Sequence, residues 1–202
     1  LGGLYSVYKK NKNSITKQII ENFLLFINQK FIEDNKFYGV YDKNKDRTFK
    51  TEYPWSSGLL ETFLEMKSDF PELFKIVEEI TKRWIKSEFF LKHGLFPYNF
   101  NKENYIQKFF KLKQIQTPFS ENKTLKYRLK CFINDKVKTP SYSRVMKQNS
   151  TLIFTLIELF KVNKSFEVKE AIEWWISNVI DKLIIDYTLY GEWYPNNDLK
   201  DD

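Results

Sequence analysis

Residues 156–193, LIELFKVNKSFEVKEAIEWWISNVIDKLIIDYTLYGEW, decide the fold. An apolar segment ends near Lys164, a second segment with apolar residues at helical spacing follows, and a glycine closes the stretch two positions before an aromatic residue. The same skeleton begins at Leu4 and at Leu59, and each copy spans the same 35 positions to its glycine (39 − 4, 94 − 59 and 191 − 156). Units of this kind bury their apolar faces only against one another, so the sequence predicts an all-α fold of stacked helical hairpins.

Equivalent positions of the three copies carry residues of the same chemical type. They carry a leucine, an aromatic residue and a lysine at steps of four, and the closing glycine–aromatic pair: Leu4, Leu59 and Leu156; Tyr8, Phe63 and Phe160; Lys12, Lys67 and Lys164; Gly39 with Tyr41, Gly94 with Phe96 and Gly191 with Trp193. We expect one domain over residues 1–202, a partial (α/α) ring with short β-like segments in its loops.

The spacing also predicts individual helices. Copy one has a second helix from Ser14, its N-cap, to Phe31. In copy two Ser56 and Ser57 cap the first helix, and Asp69 caps a second helix that reaches about Phe90. In copy three the apolar spacing predicts helices over residues 143–160 and 165–187, with Ile172, Trp175, Ile176, Val179 and Leu183 facing inward.

Copy three begins 97 residues after copy two (156 − 59), whereas copy two begins 55 after copy one (59 − 4). The sequence predicts possible helices at 105–113 and 125–133 within the additional residues, about 101–142. They form either a degenerate hairpin, which we favour, or a long inserted loop.

The amino-acid composition limits the classes of binding partner, metal site and cofactor that we expect. The net charge is +7, which favours an anionic partner, and no nucleic-acid-binding motif accompanies it. Cys131 and His93 are each single in the sequence, which leaves no cysteine-based zinc site and argues against a catalytic triad or a multi-histidine metal site. No phosphate-binding glycine loop and no apolar run of ~20 residues occurs, so we expect no cofactor, no metal and no transmembrane segment.

The repeat also indicates where chemistry would lie. In an α/α ring the glycine–aromatic loops and the N-termini of the first helices share one rim. Aromatic rings that stack on sugars, amides that bind hydroxyls and carboxylates that move protons converge there in the sequence. The alternative for any single one of these residues is packing under a loop, or solvation. The candidates are Glu52, Tyr53, Trp55, His93, Tyr98, Asn99, Tyr142, Arg144, Asn149, Glu192 and Tyr194.

The loop Gly94-Leu95-Phe96-Pro97 and the hairpin repeat resemble the (α/α)-toroid carbohydrate-active enzymes. Within these, the order of features from Gly39 to Val179 is similar to the helical C-terminal domain of glucuronyl 5-epimerases of the heparan type. Glu52-Tyr53-Pro54, followed by Ser56-Ser57, matches a Glu-Tyr-Pro segment that leads into an inner helix of that family. Tyr98 stands one position out of register with the family's Gly-x-x-Tyr loop. Tyr142, Arg144 and Asn149 lie roughly where a tyrosine and a basic segment precede the last inner helix.

The resemblance implies a reaction that removes the proton at carbon 5 of a uronic acid and returns it on the other face. It makes Tyr53 and either Tyr98 or Tyr142 the two acid–base groups, with Glu52 tuning or replacing a tyrosine. It assigns substrate binding to the remaining candidates, with Arg144 holding the substrate carboxylate. It implies an anionic polysaccharide or oligosaccharide as partner. The family carries a β-rich region before its helices, so we expect this chain to be the C-terminal part of a longer protein, completed by such a domain or by further copies of itself.

Two alternatives stay open at this point. A toroid glycosidase or unsaturated-uronide hydrolase requires a carboxylic acid in the funnel, for which Asp42, Glu52 and Glu192 are candidates. A non-catalytic helical scaffold or glycan-binding module requires none.

Overall fold

A computed structural model of the chain describes residues 1–49, 52, 54–97, 100, 143–144, 149–185, 188–189, 192–193 and 200–201. Of the interpretable residues, 73% are helical, which confirms the predicted all-α class. The helices predicted at 105–113 and 125–133 lie outside the described residues.

The helices are α1 (Gly2–Asn11), α2 (Ser14–Phe31), α3 (Gly58–Met66), α4 (Glu72–Ile85), α5 (Glu88–His93), α6 (Ser150–Asn163) and α7 (Phe166–Leu183). Turns of 3₁₀-helix cover Lys43–Lys45 and Pro54–Ser57. Consecutive helices that contact each other define hairpin one (α1–α2), hairpin two (α3–α4) and hairpin three (α6–α7). Helix α3 packs along α6, and α4 contacts both α6 and α7, so hairpins two and three lie side by side.

Short strands occupy the connections. They are β1 (Ile32–Glu33), β2 (Lys36–Phe37), β3 (Val40–Asp42), β4 (Arg47–Phe49), β5 (Ser143–Arg144), β6 (Ile184–Ile185), β7 (Thr188–Leu189), β8 (Glu192–Trp193) and β9 (Lys200–Asp201). β1 pairs with β2, β3 with β4 and β6 with β7, while β8 lies between β5 and β9; all of these pairings are antiparallel. The short β-like segments predicted in the loops are therefore present.

From the ends of their first helices onward, hairpins one and three have the same element boundaries. A shift of 152 residues (156 − 4) carries the limits of α2, Ser14 and Phe31, onto those of α7, Phe166 and Leu183. The same shift carries β1 and β2 onto β6 and β7. Both first helices end in a lysine with left-handed backbone, Lys12 at φ 49° and Lys164 at φ 52°, whose N–H returns to the aromatic residue four positions earlier.

Two of the predicted N-caps are wrong. The N-cap of α2 is Asn13, whose side chain accepts from the N–H groups of Ile15 and Thr16, so Ser14 is already helical. Asp69 does not cap α4, which begins after Pro71. Its carboxylate instead accepts from the hydroxyl of Tyr5 at 2.8 Å and from Nζ of Lys12 at 3.0 Å, since a contact between hairpins outcompetes the local cap.

The helix predicted to reach Phe90 ends at Ile85, and α5 follows as a separate helix. Ser57 is the N-cap of α3, but its hydroxyl makes no capping bond. The first helix of copy three was expected to begin at residue 143 and begins at Ser150 instead, because Ser143 and Arg144 form β5.

The core lies between the hairpins. On α4 the predicted inward residues Leu73, Val77, Ile80 and Trp84 are all buried, with 3% exposure or less. Burial of each such side chain stabilises the fold by about 1.5–3 kcal/mol. On α7, by contrast, Ile176 is 45% exposed although the spacing predicted it inward. It lies on the side of α7 away from hairpin two, so helical spacing alone misplaces it.

Among the described residues, no helix combines the length and apolarity needed to cross a bilayer.

Candidate functional site

Glu52 lies two residues before the start of the 3₁₀ turn that leads into α3 and is 1% exposed. Its Oε1 accepts from the backbone N–H of Phe37 at 2.8 Å, from the guanidinium of Arg83 and from Nε1 of Trp84 at 3.4 Å. Its own backbone C=O accepts from the N–H of Phe100 at 3.0 Å. Glu52 therefore ties β2, which follows hairpin one, to the second helix of hairpin two, α4.

Burial raises the pKa of the Glu52 carboxyl above its ordinary value, and the Arg83 guanidinium and the Phe37 N–H oppose that rise. Arg83 is partly exposed, and its Nε also donates to the backbone C=O of Asn35 at 3.0 Å. The carboxyl group is thus held within a buried hydrogen-bonded network. A bound substrate reaches it only if that network opens.

Asn149 occupies the position equivalent to Glu52, because 52 + 97 = 149 with the offset between copies two and three. It is fully buried at the start of α6. Its Oδ1 accepts from the N–H of Phe96 at 2.7 Å and from Nε1 of Trp175 at 3.1 Å, and its Nδ2 donates to the C=O of Phe96 at 3.1 Å.

We call Glu52 and Asn149 the clamp residues. Each accepts the backbone N–H of a phenylalanine that follows the second helix of the preceding hairpin. Each also accepts an indole N–H from the second helix of its own hairpin, Trp84 for Glu52 and Trp175 for Asn149. The clamp residues therefore fasten one hairpin to the next.

His93 ends α5 beside the glycine of copy two. Its ring lies 4.9 Å, centroid to centroid, from the ring of Phe89, and its backbone C=O accepts from Nζ of Lys182. Burial, followed by the positive charges of Lys182 and Lys92, lowers the pKa of the imidazole below its usual value.

Arg144 and Glu192 are brought together by sheet register. β5 pairs with β8 so that Arg144 is opposite Glu192 and Ser143 is opposite Trp193. The backbone of Trp55 lies in the 3₁₀ turn Pro54–Ser57. Five further candidates lie outside the described residues: Tyr53, Tyr98, Asn99, Tyr142 and Tyr194.

Sequence reasoning placed Glu52 and Asn149 at the rim but missed the residues that bind them. Arg83 and Trp84 are 31 and 32 residues after Glu52, and Trp175 is 26 after Asn149. The signal that could have found these contacts is the equivalence of positions 52 and 149 between copies two and three.

Two clefts in the described part of the chain lie between second helices. One of about 300 Å³ separates α2 from α4 and includes Leu25 and Ile76; another of about 320 Å³ lies between α4–α5 and α7 and includes Phe90 and Trp174. Neither contains a residue that the sequence predicted for the site.

The described residues contain no group of three or more His, Cys, Asp or Glu side chains that could hold a metal ion. No protein-family model matches the chain, and no curated protein is significantly similar to it.

Proposed function

We propose that the chain is a partial (α/α) toroid that acts on an anionic polysaccharide, with the proton abstraction and return of a uronyl 5-epimerase. The observation that carries the proposal is the pair of clamp residues. At equivalent positions they fasten the loop after one hairpin to the start of the next, through Phe37 in one case and Phe96 in the other. A rim fixed in this way supplies the preorganised edge that a sugar-binding site requires.

Each of the two proposed acid–base tyrosines is close in sequence to a clamp residue or to a phenylalanine that a clamp residue binds. Tyr53 directly follows Glu52, and Tyr98 follows Phe96 by two residues. In the proposed reaction one tyrosine removes the C5 proton of the uronate, and a second acid–base group returns a proton on the opposite face. Arg144 neutralises the substrate carboxylate, which stabilises the carbanion that forms between the two steps.

The charge of the chain supports an anionic substrate. The net charge of +7 steers a polyuronate toward the protein, and this attraction weakens as salt screens it. We therefore expect binding of a uronate polymer to be stronger than binding of a neutral glucan, and to decline with ionic strength.

Deuterium uptake from solvent tests the chemistry. The protein is incubated with a glucuronate-containing polysaccharide in D₂O, and deuterium at C5 is measured by NMR and mass spectrometry. We expect incorporation by the wild type, and loss of incorporation with retained polymer binding in Tyr53→Phe and in Tyr98→Phe. Glu21→Gln on the exposed face of α2 is the matched control and should behave as the wild type. Binding without deuterium uptake by the wild type contradicts the epimerase, and release of reducing ends would identify a hydrolase.

A second candidate, a non-catalytic glycan-binding module, is favoured by one observation. Both clamp residues, which the sequence proposed for catalysis and substrate binding, are buried and engaged with backbone and indole groups. If the rim only binds, Tyr53→Phe and Tyr98→Phe leave polymer affinity and every product assay unchanged.

A further inference from the structure

Three carboxylates meet where hairpins two and three pack together. Glu61 and Glu65 lie one turn apart on α3, and Glu158 lies on α6, which packs along α3. Glu65 and Glu158 are exposed, whereas Glu61 is partly buried in the junction. Nζ of Lys161 lies 2.5 Å from the Glu158 carboxylate, but in the described part of the chain no cation pairs with Glu61. The carboxyl group of Glu61 therefore stands beside two like charges without a positive partner.

The hydroxyl of Thr155 on α6 has three oxygen atoms around it. The backbone C=O groups of Thr151 and Ser57 lie 3.1 and 3.2 Å from its Oγ1. Oε1 of Glu61 lies 3.3 Å from the same atom. A hydroxyl carries one hydrogen, and a carbonyl oxygen can only accept. The C=O of Thr151 is the nearest of the three and is the usual partner of a threonine within a helix, so it takes the hydrogen. The contact between Thr155 and Glu61 then lacks a hydrogen unless the carboxyl group supplies one.

The surroundings of Glu61 favour the protonated form that supplies this hydrogen. Burial raises the pKa of the Glu61 carboxyl above its ordinary value, and the negative charges of Glu158 and Glu65 add to the rise. A hydrogen bond donated by Thr155 would lower that pKa, but the backbone takes the hydrogen of this hydroxyl. Among the described residues, no charge from α4 or from the 3₁₀ turn Pro54–Ser57 acts on Glu61.

We propose that Glu61 takes up a proton from solvent and, as a carboxylic acid, donates a hydrogen bond to Oγ1 of Thr155, so that acid strengthens the junction between hairpins two and three. The O–H bond formed on the carboxyl group removes one of the three negative charges and places a hydrogen in a contact that otherwise lacks one. The folded chain holds this proton more tightly than the unfolded chain, because only the folded chain buries the group. The stability that it contributes is therefore fully present below the unfolded pKa and is lost as pH rises through the higher folded pKa. This pH-sensitive junction does not depend on the sugar chemistry proposed above.

NMR titration of carbon-13-labelled glutamate side chains measures the proton directly, with the Glu61 signal identified by its absence in Glu61→Gln. We expect its midpoint to lie above that of a glutamate in an unfolded chain, about 4.3. Thr155→Val should lower the midpoint because the protonated form loses its acceptor, whereas Thr155→Ser keeps the hydroxyl and should leave the midpoint unchanged. A midpoint at or below the ordinary value would overturn the proposal. So would a midpoint that Thr155→Val raises, since the hydroxyl would then be donating to a carboxylate.

Urea unfolding as a function of pH links the proton to the stability of the junction. The side-chain amide of Glu61→Gln is uncharged and can donate to Oγ1 of Thr155 at every pH. We expect this variant to be more stable than the wild type at pH 7, and the advantage to shrink as pH falls toward about 4, where Glu61 is protonated. Glu170→Gln, at an exposed position of α7, is the matched control and should follow the wild type at each pH. A stability difference between Glu61→Gln and the wild type that stays constant with pH would show that no proton is bound at the junction.

Discussion

Replacement of Asn149 by alanine isolates what a clamp residue contributes. The amide makes three hydrogen bonds with buried or partly buried partners: the N–H and C=O of Phe96 and the indole N–H of Trp175. Asn149 is also the N-cap of α6, but its side chain makes no capping bond. Loss of stability in Asn149→Ala therefore reports the clamp and not the helix end.

The magnitude follows from the groups left without a partner. A buried polar group without its partner costs about 1–3 kcal/mol. Phe96 is fully buried, so its N–H and C=O lose their bonds without access to water, whereas the indole of Trp175 is only partly buried. With the lower end of the range for each group, we expect the free energy of unfolding to fall by about 3 kcal/mol.

Urea unfolding followed by circular dichroism measures the effect, with Asn22→Ala as control. Asn22 is exposed in the middle of α2, where alanine is the better helix former, so the control should lose no stability. A double-mutant cycle with Trp175→Phe should recover a coupling of about 1 kcal/mol, the value of one hydrogen bond. An Asn149→Ala variant as stable as Asn22→Ala would refute the clamp.

Two further predictions concern backbone conformation, each with a control substitution, and a third concerns the titration of His93. Gly94→Ala should destabilise by about 2–4 kcal/mol, because φ is 68° and the new Cβ would lie 2.1 Å from the side chain of Asn178. Gly3→Ala, with nothing within 4 Å, should leave thermal stability unchanged or raise it. Lys164→Gly should stabilise by about 0.5–1 kcal/mol by relieving left-handed backbone, whereas Lys67→Gly at an αR C-cap should not; chemical denaturation compares the two. The folded pKa of His93 is lowered, so the unfolded chain binds its proton more readily. Stability should therefore fall as pH decreases from the unfolded pKa of about 6.5 to the lowered folded pKa. Urea unfolding measured over this pH range should show the dependence in the wild type and not in His93→Gln.

Much of the helical framework could be predicted because it depends on local spacing. The limits of α2 agree with prediction since apolar residues recur every three or four positions up to Phe31 and a strand follows. The buried side of α4 agrees for the same reason, through Leu73, Val77 and Ile80. The repeat itself is visible because each copy must offer the same apolar contacts to its neighbours.

The details that failed depend on partners distant in sequence. Asn13 and Ser14 are both good caps, and only the hydrogen bonds to the next turn distinguish them. Asp69 is a good cap by type, but the Tyr5 hydroxyl and the Lys12 ammonium from hairpin one bind it instead. Helical spacing identified Ile176 as apolar, but whether it is covered depends on which hairpin lies beside α7.

The clamp positions explain why the sequence predicted only part of the candidate site. A clamp needs one oxygen that accepts a backbone N–H and an indole N–H, and both a carboxylate and an amide provide it. At Glu52 the charge is matched by Arg83, whereas at Asn149 the remaining amide nitrogen donates to the C=O of Phe96. Residue identity therefore changes between copies, while the accepted backbone N–H and indole N–H bonds are present in both. Because both acceptor oxygens are occupied by these bonds, the reacting groups of the proposed site are better assigned to the neighbouring Tyr53 and Tyr98 than to the clamps themselves.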